Sequence, residues 1–199
     1  HNICSSFVQH YSGRARMPEA IVVGIASTDR LRDFTPYERV AYDGRYGGGG
    51  ADTFLRFISE ELFPVVEEKY PIRDYRVLIG HSYGGLFVAH VLASRPELFR
   101  AYLACSPWLG EVDDVMVDEI GSKLRGGFDK RRLLYVAHEP ITRPGIEDRI
   151  LRMRGVLEEN AGDDFAWEYR RYGDADHSNL PLKAIPDALD FFFPGFVQD

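Results

Sequence analysis

Ser82 stands in Gly80-His81-Ser82-Tyr83-Gly84-Gly85, where one apolar run, Arg76-Val77-Leu78-Ile79, gives way to another, Leu86-Phe87-Val88-Ala89. A serine hydroxyl is a weak nucleophile at neutral pH, so one meant to attack a carbonyl needs a base that takes its proton and returns it to the leaving group. Histidine is the side chain that titrates in the right range. His177, in Asp174-Ala175-Asp176-His177-Ser178, lies far downstream and is the candidate base. Glu139, at the end of Leu133-Leu134-Tyr135-Val136-Ala137-His138-Glu139, is the candidate acid that would orient the imidazole. Asp148 is a second candidate for that role, and a serine–histidine dyad without an acid is a third. The backbone N–H of Tyr83, at the start of the second apolar run, would face a developing oxyanion. Asp174 and Asp176 read as solvated loop residues. His81, His90 and His138 have no partner implied by spacing, and packing or exposure accounts for each.

That chemistry requires a strand, a tight turn carrying the serine, and a helix. Val77–Ile79 supplies the strand and the segment from Gly84 to Ser94 the helix, with Gly80 and Gly84 expected where side chains would collide with neighbouring elements. Along the chain, short apolar runs alternate with longer stretches of helical period, the pattern of βα units in a mostly parallel sheet. The expected strands are Ile21–Ala26, Arg76–Gly80, Ala101–Cys105, Leu133–Ala137 and Ala166–Tyr172. The expected helices are Asn2–Tyr11, Thr53–Tyr70 with a kink or restart at Pro64, Gly84–Ser94, Ile146–Asn160 and Pro181–Phe193. Asp43–Gly50 (Asp-Gly-Arg-Tyr-Gly-Gly-Gly-Gly) lacks the Gly-Lys-Ser/Thr ending of a phosphate loop and reads as a mobile linker. With serine, acid and histidine in that order along the chain, each after an expected strand, the fold class is α/β, an α/β-hydrolase-type mostly parallel sheet with helices on both faces.

Composition sets limits. The chain has 199 residues, 45% hydrophobic, which suits one domain spanning 1–199. Lys and Arg number 24 against 31 Asp and Glu, a net charge of −7, and no basic cluster is interleaved with aromatics, so a nucleic-acid partner is not expected. No apolar run approaches the roughly 20 residues of a membrane span, and no leader is visible; the compartment stays open between cytoplasm and periplasm. Two cysteines, Cys4 and Cys105, could pair, but Cys105 in an apolar run reads as a buried thiol. The six histidines are scattered, so no metal and no cofactor are expected. A small-molecule substrate suits the candidate nucleophile, and a homo-oligomer is compatible with the sequence.

Met17-Pro18-Glu19-Ala20-Ile21-Val22-Val23-Gly24-Ile25, Thr28–Pro36, Phe54-Leu55-Arg56-Phe57, Gly80–Phe87, Arg95-Pro96-Glu97-Leu98-Phe99 and Ser106-Pro107 together resemble the putative esterase family of α/β-hydrolases, which includes enterochelin esterases, siderophore trilactone hydrolases and the esterase D type. The resemblance runs from about Met17 to Phe193. It implies a carboxylic ester hydrolase with Ser82 as nucleophile and His177 as base. It also places Arg30 and Arg32, in the loop matching Arg-x-Arg-Asp-x-Thr-Pro, near the mouth of the site. An arginine fork there suits carboxylate or phenolate oxygens of a substrate, while an Arg32–Asp33 salt bridge is the alternative. Ala137-His138-Glu139 keeps the carboxylate of the family's Gly-Asn-Glu but not its glycine. The resemblance further implies strands ahead of Asn2–Tyr11, so that the chain begins in mid-fold and the first oxyanion donor is His1, its neighbour, or absent altogether. The reaction expected is ester hydrolysis through an acyl enzyme, on a siderophore lactone or small acyl ester. Acyl transfer to an alcohol with the same nucleophile and a catalytically silent binding protein are the alternatives.

Overall fold

A computed structural model describes residues 2–41, 43–111, 114–141, 143 and 145–196. Four strands, β3 (Val77–His81), β4 (Ala101–Cys105), β5 (Arg132–His138) and β6 (Phe165–Arg171), form a parallel sheet in sequential order. Register is continuous, with Val77 opposite Ala101, Ala101 opposite Leu133, and Leu133 opposite Ala166. A separate antiparallel hairpin joins β1 (Glu38–Val40) to β2 (Tyr46–Gly48).

Crossovers between parallel strands are right-handed, so a strand order that never reverses puts every crossover helix on the same face. The helices α5 (Tyr83–Ser94), α6 (Val115–Gly126) and α7 (Ile146–Asn160) accordingly pack side by side over one face. The other face is covered by α1 (Asn2–Ser12) and α8 (Leu180–Phe192). The two-residue period of β4 shows the division. Tyr102 and Ala104 join Leu86, Met116 and Ile150 in one core, while Ala101, Leu103 and Cys105 join Val8, Tyr11, Leu180 and Ala184 in the other. Every residue of β4 is buried, as a central parallel strand requires.

The remaining helices are α2 (Arg30–Phe34), capped by the Asp29 carboxylate on the Arg32 N–H, and a run formed by α3 (Ala51–Arg56), a π-helical turn (Phe57–Leu62) and α4 (Phe63–Lys69). Pro64 does not break this run. Its missing N–H and its ring are accommodated at the start of α4, directly after the widened π turn. The extra residue per turn rotates the apolar stripe, leaving Phe57 and Val65 exposed while Leu55 and Ile58 are buried.

Two expectations are corrected. Ile21–Ala26 forms no strand: its β-branched alternation is present, but Ile21, Val23 and Ile25 are exposed and no ladder pairs them. Residues 43–50 are not a mobile linker: 43–48 form the turn and second strand of the hairpin, and Gly49 and Gly50 lead into α3. A Cβ on Gly48 would lie 2.4 Å from the Thr35 hydroxyl, and one on Gly50 2.8 Å from the Arg32 carbonyl, so these glycines permit close packing. The helix α6 was not anticipated, although Met116, Val117, Ile120 and Leu124 bury one side of it. Cys4 and Cys105 are both free thiols.

Candidate active site

The carboxyl edge of the sheet collects the chemistry. Successive strands end in Ser82, Ser106 and Glu139, and the loop after β6 carries His177. Ligands and reacting groups gather at this edge of open α/β sheets.

Ser82 has φ +61° and ψ −118°, a conformation that non-glycine residues rarely adopt. It is held there by its N–H, which donates to the Cys105 carbonyl at 3.0 Å, and by its own carbonyl, which accepts from Leu86 at 3.0 Å and Trp108 at 3.2 Å. The turn is tight enough that a Cβ on Gly80 would sit 2.0 Å from the Gly84 carbonyl oxygen. Gly84 itself faces open space, contrary to expectation. The crowded glycine on that side is Gly85, whose Cβ would lie 2.8 Å from the Cys105 carbonyl and 2.9 Å from Pro107 Cα.

His177 Nδ1 lies 2.7 Å from Glu139 Oε1. Glu139 is buried, and although burial opposes its charge, hydrogen bonds from His177, the backbone and Ser106 hold its carboxyl below the ordinary range. With the carboxylate at Nδ1, the proton belongs on that nitrogen and Nε2 is left as the acceptor. The imidazole is also packed on His81, ring centroids 4.4 Å apart. His81 precedes Ser82, so the base is delivered to the serine's side of the site. No hydrogen bond joins the Ser82 hydroxyl to His177 among those of the described residues, and such contacts tighten on substrate binding in many hydrolases. The loop carrying His177 is braced by Asp176, whose carboxylate accepts from the N–H groups of Ser178 and Asn179 at 2.8 and 2.9 Å. Asp174 pairs with Lys183 at the surface. Asp148 is exposed on the first turn of α7, and Glu139 is the carboxylate beside the imidazole.

The N–H of Tyr83 opens α5 next to Ser82, where the helix's positive end lies. The expected first oxyanion donor at His1 lies outside the described residues. Arg32 donates through Nε to Asp33 Oδ1 at 2.7 Å, with Asp33 also accepting from the Ser27 hydroxyl at 2.8 Å, so the salt-bridge alternative is present. Arg30 stacks over Phe34 at 5.8 Å, and its positive charge is among those that disfavour protonation of His81. Sequence reasoning missed a cation–aromatic group beside Ser82. The Tyr83 and Trp108 rings are 6.0 Å apart, with Arg39 6.0 Å above the first and Arg143 4.9 Å above the second. It also missed Ser106, whose hydroxyl donates to Glu139 Oε1 at 3.0 Å. Only the register of the sheet brings that residue to the site. His138 and His90 do have partners, Tyr169 at 2.6 Å and Asp52 at 2.8 Å.

A sequential parallel sheet, with a strained serine at the turn out of its first strand and a carboxylate-bound histidine from the loop after its last, defines an α/β-hydrolase. The family follows from the sequence: residues 1–161 match the profile described as "Putative esterase", and the chain belongs to that family. It is 42% identical over 103 residues to the ferri-bacillibactin esterase BesA of Bacillus subtilis (strain 168), covering 44% of this chain and 36% of that protein. It is 35% identical over 98 residues to the apo-salmochelin esterase of Escherichia coli O6:H1, covering 46% of this chain and 30% of that one. Among solved structures, an IroE-like serine hydrolase from Shewanella oneidensis superposes with a TM-score of 0.88 at 28% identity, over 99% of this chain and 67% of that chain. The aligned stretches thus span about a third of these curated relatives, 36% and 30%.

Proposed function

We propose that the chain hydrolyses carboxylic esters through an acyl enzyme, with Ser82 as nucleophile, His177 as general base and acid, Glu139 as the carboxylate that orients it, and the Tyr83 N–H as an oxyanion donor. The observation that carries this reading is the Glu139–His177 contact of 2.7 Å, with that imidazole packed on the residue preceding a serine held at positive φ. In the first half-reaction the serine oxygen bonds to the acyl carbon, its proton passes to His177, and the same proton leaves with the alcohol. In the second, water gives a proton to His177 as its oxygen bonds to the acyl carbon, the bond from that carbon to the Ser82 oxygen breaks, and His177 returns the proton to Ser82 as the acid leaves. Glu139 stays ionised throughout and stabilises the imidazolium.

For the substrate we favour an anionic, aromatic-bearing ester of the siderophore type. The names of the relatives support this, as do the Tyr83–Trp108 pair flanked by Arg39 and Arg143, and Arg30, whose charge acts on His81. Acyl transfer to an alcohol would share every step up to the acyl enzyme.

The test is labelling with a fluorophosphonate together with turnover of p-nitrophenyl acetate. We expect a stoichiometric adduct on Ser82, lost in Ser82→Ala, and turnover in His177→Ala reduced by at least ~10³-fold with the fold retained. A well-folded chain that takes no label would refute the assignment and favour a silent binding protein.

A further inference from the structure

Ser106 is 2% exposed and has φ +46°, which makes it, with Ser82 and Ala15, one of three non-glycine residues with positive φ among those described. Its backbone repeats the pattern of Ser82 one strand along. Where the Ser82 N–H donates to Cys105 of the next strand, the Ser106 N–H donates to the Ala137 carbonyl at 2.6 Å. A glycine would occupy this conformation without steric cost, so a side chain at this bend must return something for the strain. The hydroxyl does so: Oγ is 3.0 Å from Glu139 Oε1 and 3.2 Å from His177 Nδ1, while Nδ1 and Oε1 are themselves 2.7 Å apart. Three polar groups meet in a triangle. Glu139 Oε2 is buried with no hydrogen-bond partner among the described residues, so the carboxylate depends on Oε1 for its side-chain hydrogen bonds.

We propose that Ser106 is a positioning residue for the Ser82–His177 reaction: its hydroxyl donates to Glu139 Oε1, fixing the carboxylate in line with the Nδ1–H of His177. This rests on the hydrolytic reading above. A hydroxyl has one proton to give. Donated to Oε1, it leaves Nδ1 to keep its own proton, the tautomer in which Nε2 can accept from Ser82. Donated to Nδ1, it would stabilise the opposite tautomer. The ionised carboxylate, the stronger acceptor, decides between them. The other titratable groups facing this triangle are His81 at the end of β3, Cys105 at the end of β4 and His138 beside Glu139 in the chain; burial keeps the Cys105 thiol protonated and disfavours charge on both histidines.

The test uses Ser106→Ala and Ser106→Gly in the full chain. Both delete the hydroxyl, but glycine also relieves the backbone, so a structural role and a hydroxyl role separate. We expect both variants to fold and to lose kcat roughly ten- to a hundredfold, as for removal of a hydrogen bond to a charged group, with KM changed less than about twofold. The acid limb of the kcat/KM profile should move to higher pH, because the carboxylate loses a donor that favours its ionised form. The downfield proton resonance of the His177 Nδ1–H should shift or broaden in both variants, a readout that needs no turnover. A folded Ser106→Gly with wild-type kcat, an unmoved acid limb and an unchanged imidazole resonance would overturn the role while leaving Ser82-dependent hydrolysis standing. Failure of the hydrolytic reading shows separately, as a wild-type chain that takes no label at Ser82.

Discussion

His81 occupies the position before the nucleophile and faces the imidazole of His177 at 4.4 Å between centroids. Burial pushes its pKa from 6.5 down to about 4, and the neighbouring His177 charge adds to the effect. Below about pH 6.5 an unfolded chain protonates this residue while the folded chain does not, so the folded state binds fewer protons and stability is lost as pH falls. The loss runs from about 6.5 to about 4 and stops where both states are protonated. We expect the urea midpoint of the wild type to drop more between pH 7 and pH 4.5 than that of His81→Gln; equal drops would show that His81 is not held neutral. At this scale the sequence was readable where chemistry dictates residue type. Ser82, Glu139 and His177 lie at strand ends in the order that an acyl-transfer site needs. Ser106 carries no such mark, since a serine before a proline after any strand looks alike until the ladder sets it beside Glu139.

The bend between β3 and α5 separates two glycines that look equivalent in the sequence. Gly85 is wedged against the Cys105 carbonyl and Pro107, whereas Gly84 looks into open space. Gly85→Ala is therefore expected to lose about 1–3 kcal/mol through overpacking, and Gly84→Ala to hold or gain a few tenths of a kcal/mol from better helix propensity. Thermal unfolding of the two variants measures this, and equal melting temperatures would contradict the crowding. Buried strands such as β4 and amphipathic helices such as α7 were legible because the period of their apolar residues matches the geometry of the element that buries them. Ile21–Ala26 was misread because β-branching reports local preference, while a strand also needs a partner. The β1–β2 hairpin escaped because its strands are three residues each and its glycines suggested looseness.

Across the molecule, charge and site oppose each other. The chain carries −7 overall, yet Arg39 and Arg143 stand over the Tyr83–Trp108 pair beside Ser82, and Arg30 lies close enough to act on His81. For an ester bearing carboxylate or phenolate groups, kcat/KM is expected to fall several-fold as salt rises from about 20 to 500 mM, with neutral p-nitrophenyl acetate little affected. Identical salt responses would argue against an anionic substrate. The division of the core between two sheet faces was only partly legible, since the alternation along β4 is hidden when both faces are apolar. No helix among the described residues is long and apolar enough to cross a membrane.

From β3 to β6 is three strand spacings, about 14 Å. His177 leaves β6 and yet its ring rests on His81 at the end of β3, so residues 173–179 must arch back across two intervening strand ends. The length of that arch works as a measured reach. Deleting Gly173, whose position faces open space, would shorten the arch without removing a core side chain and strand the imidazole short of the serine, giving a folded protein that turns nothing over.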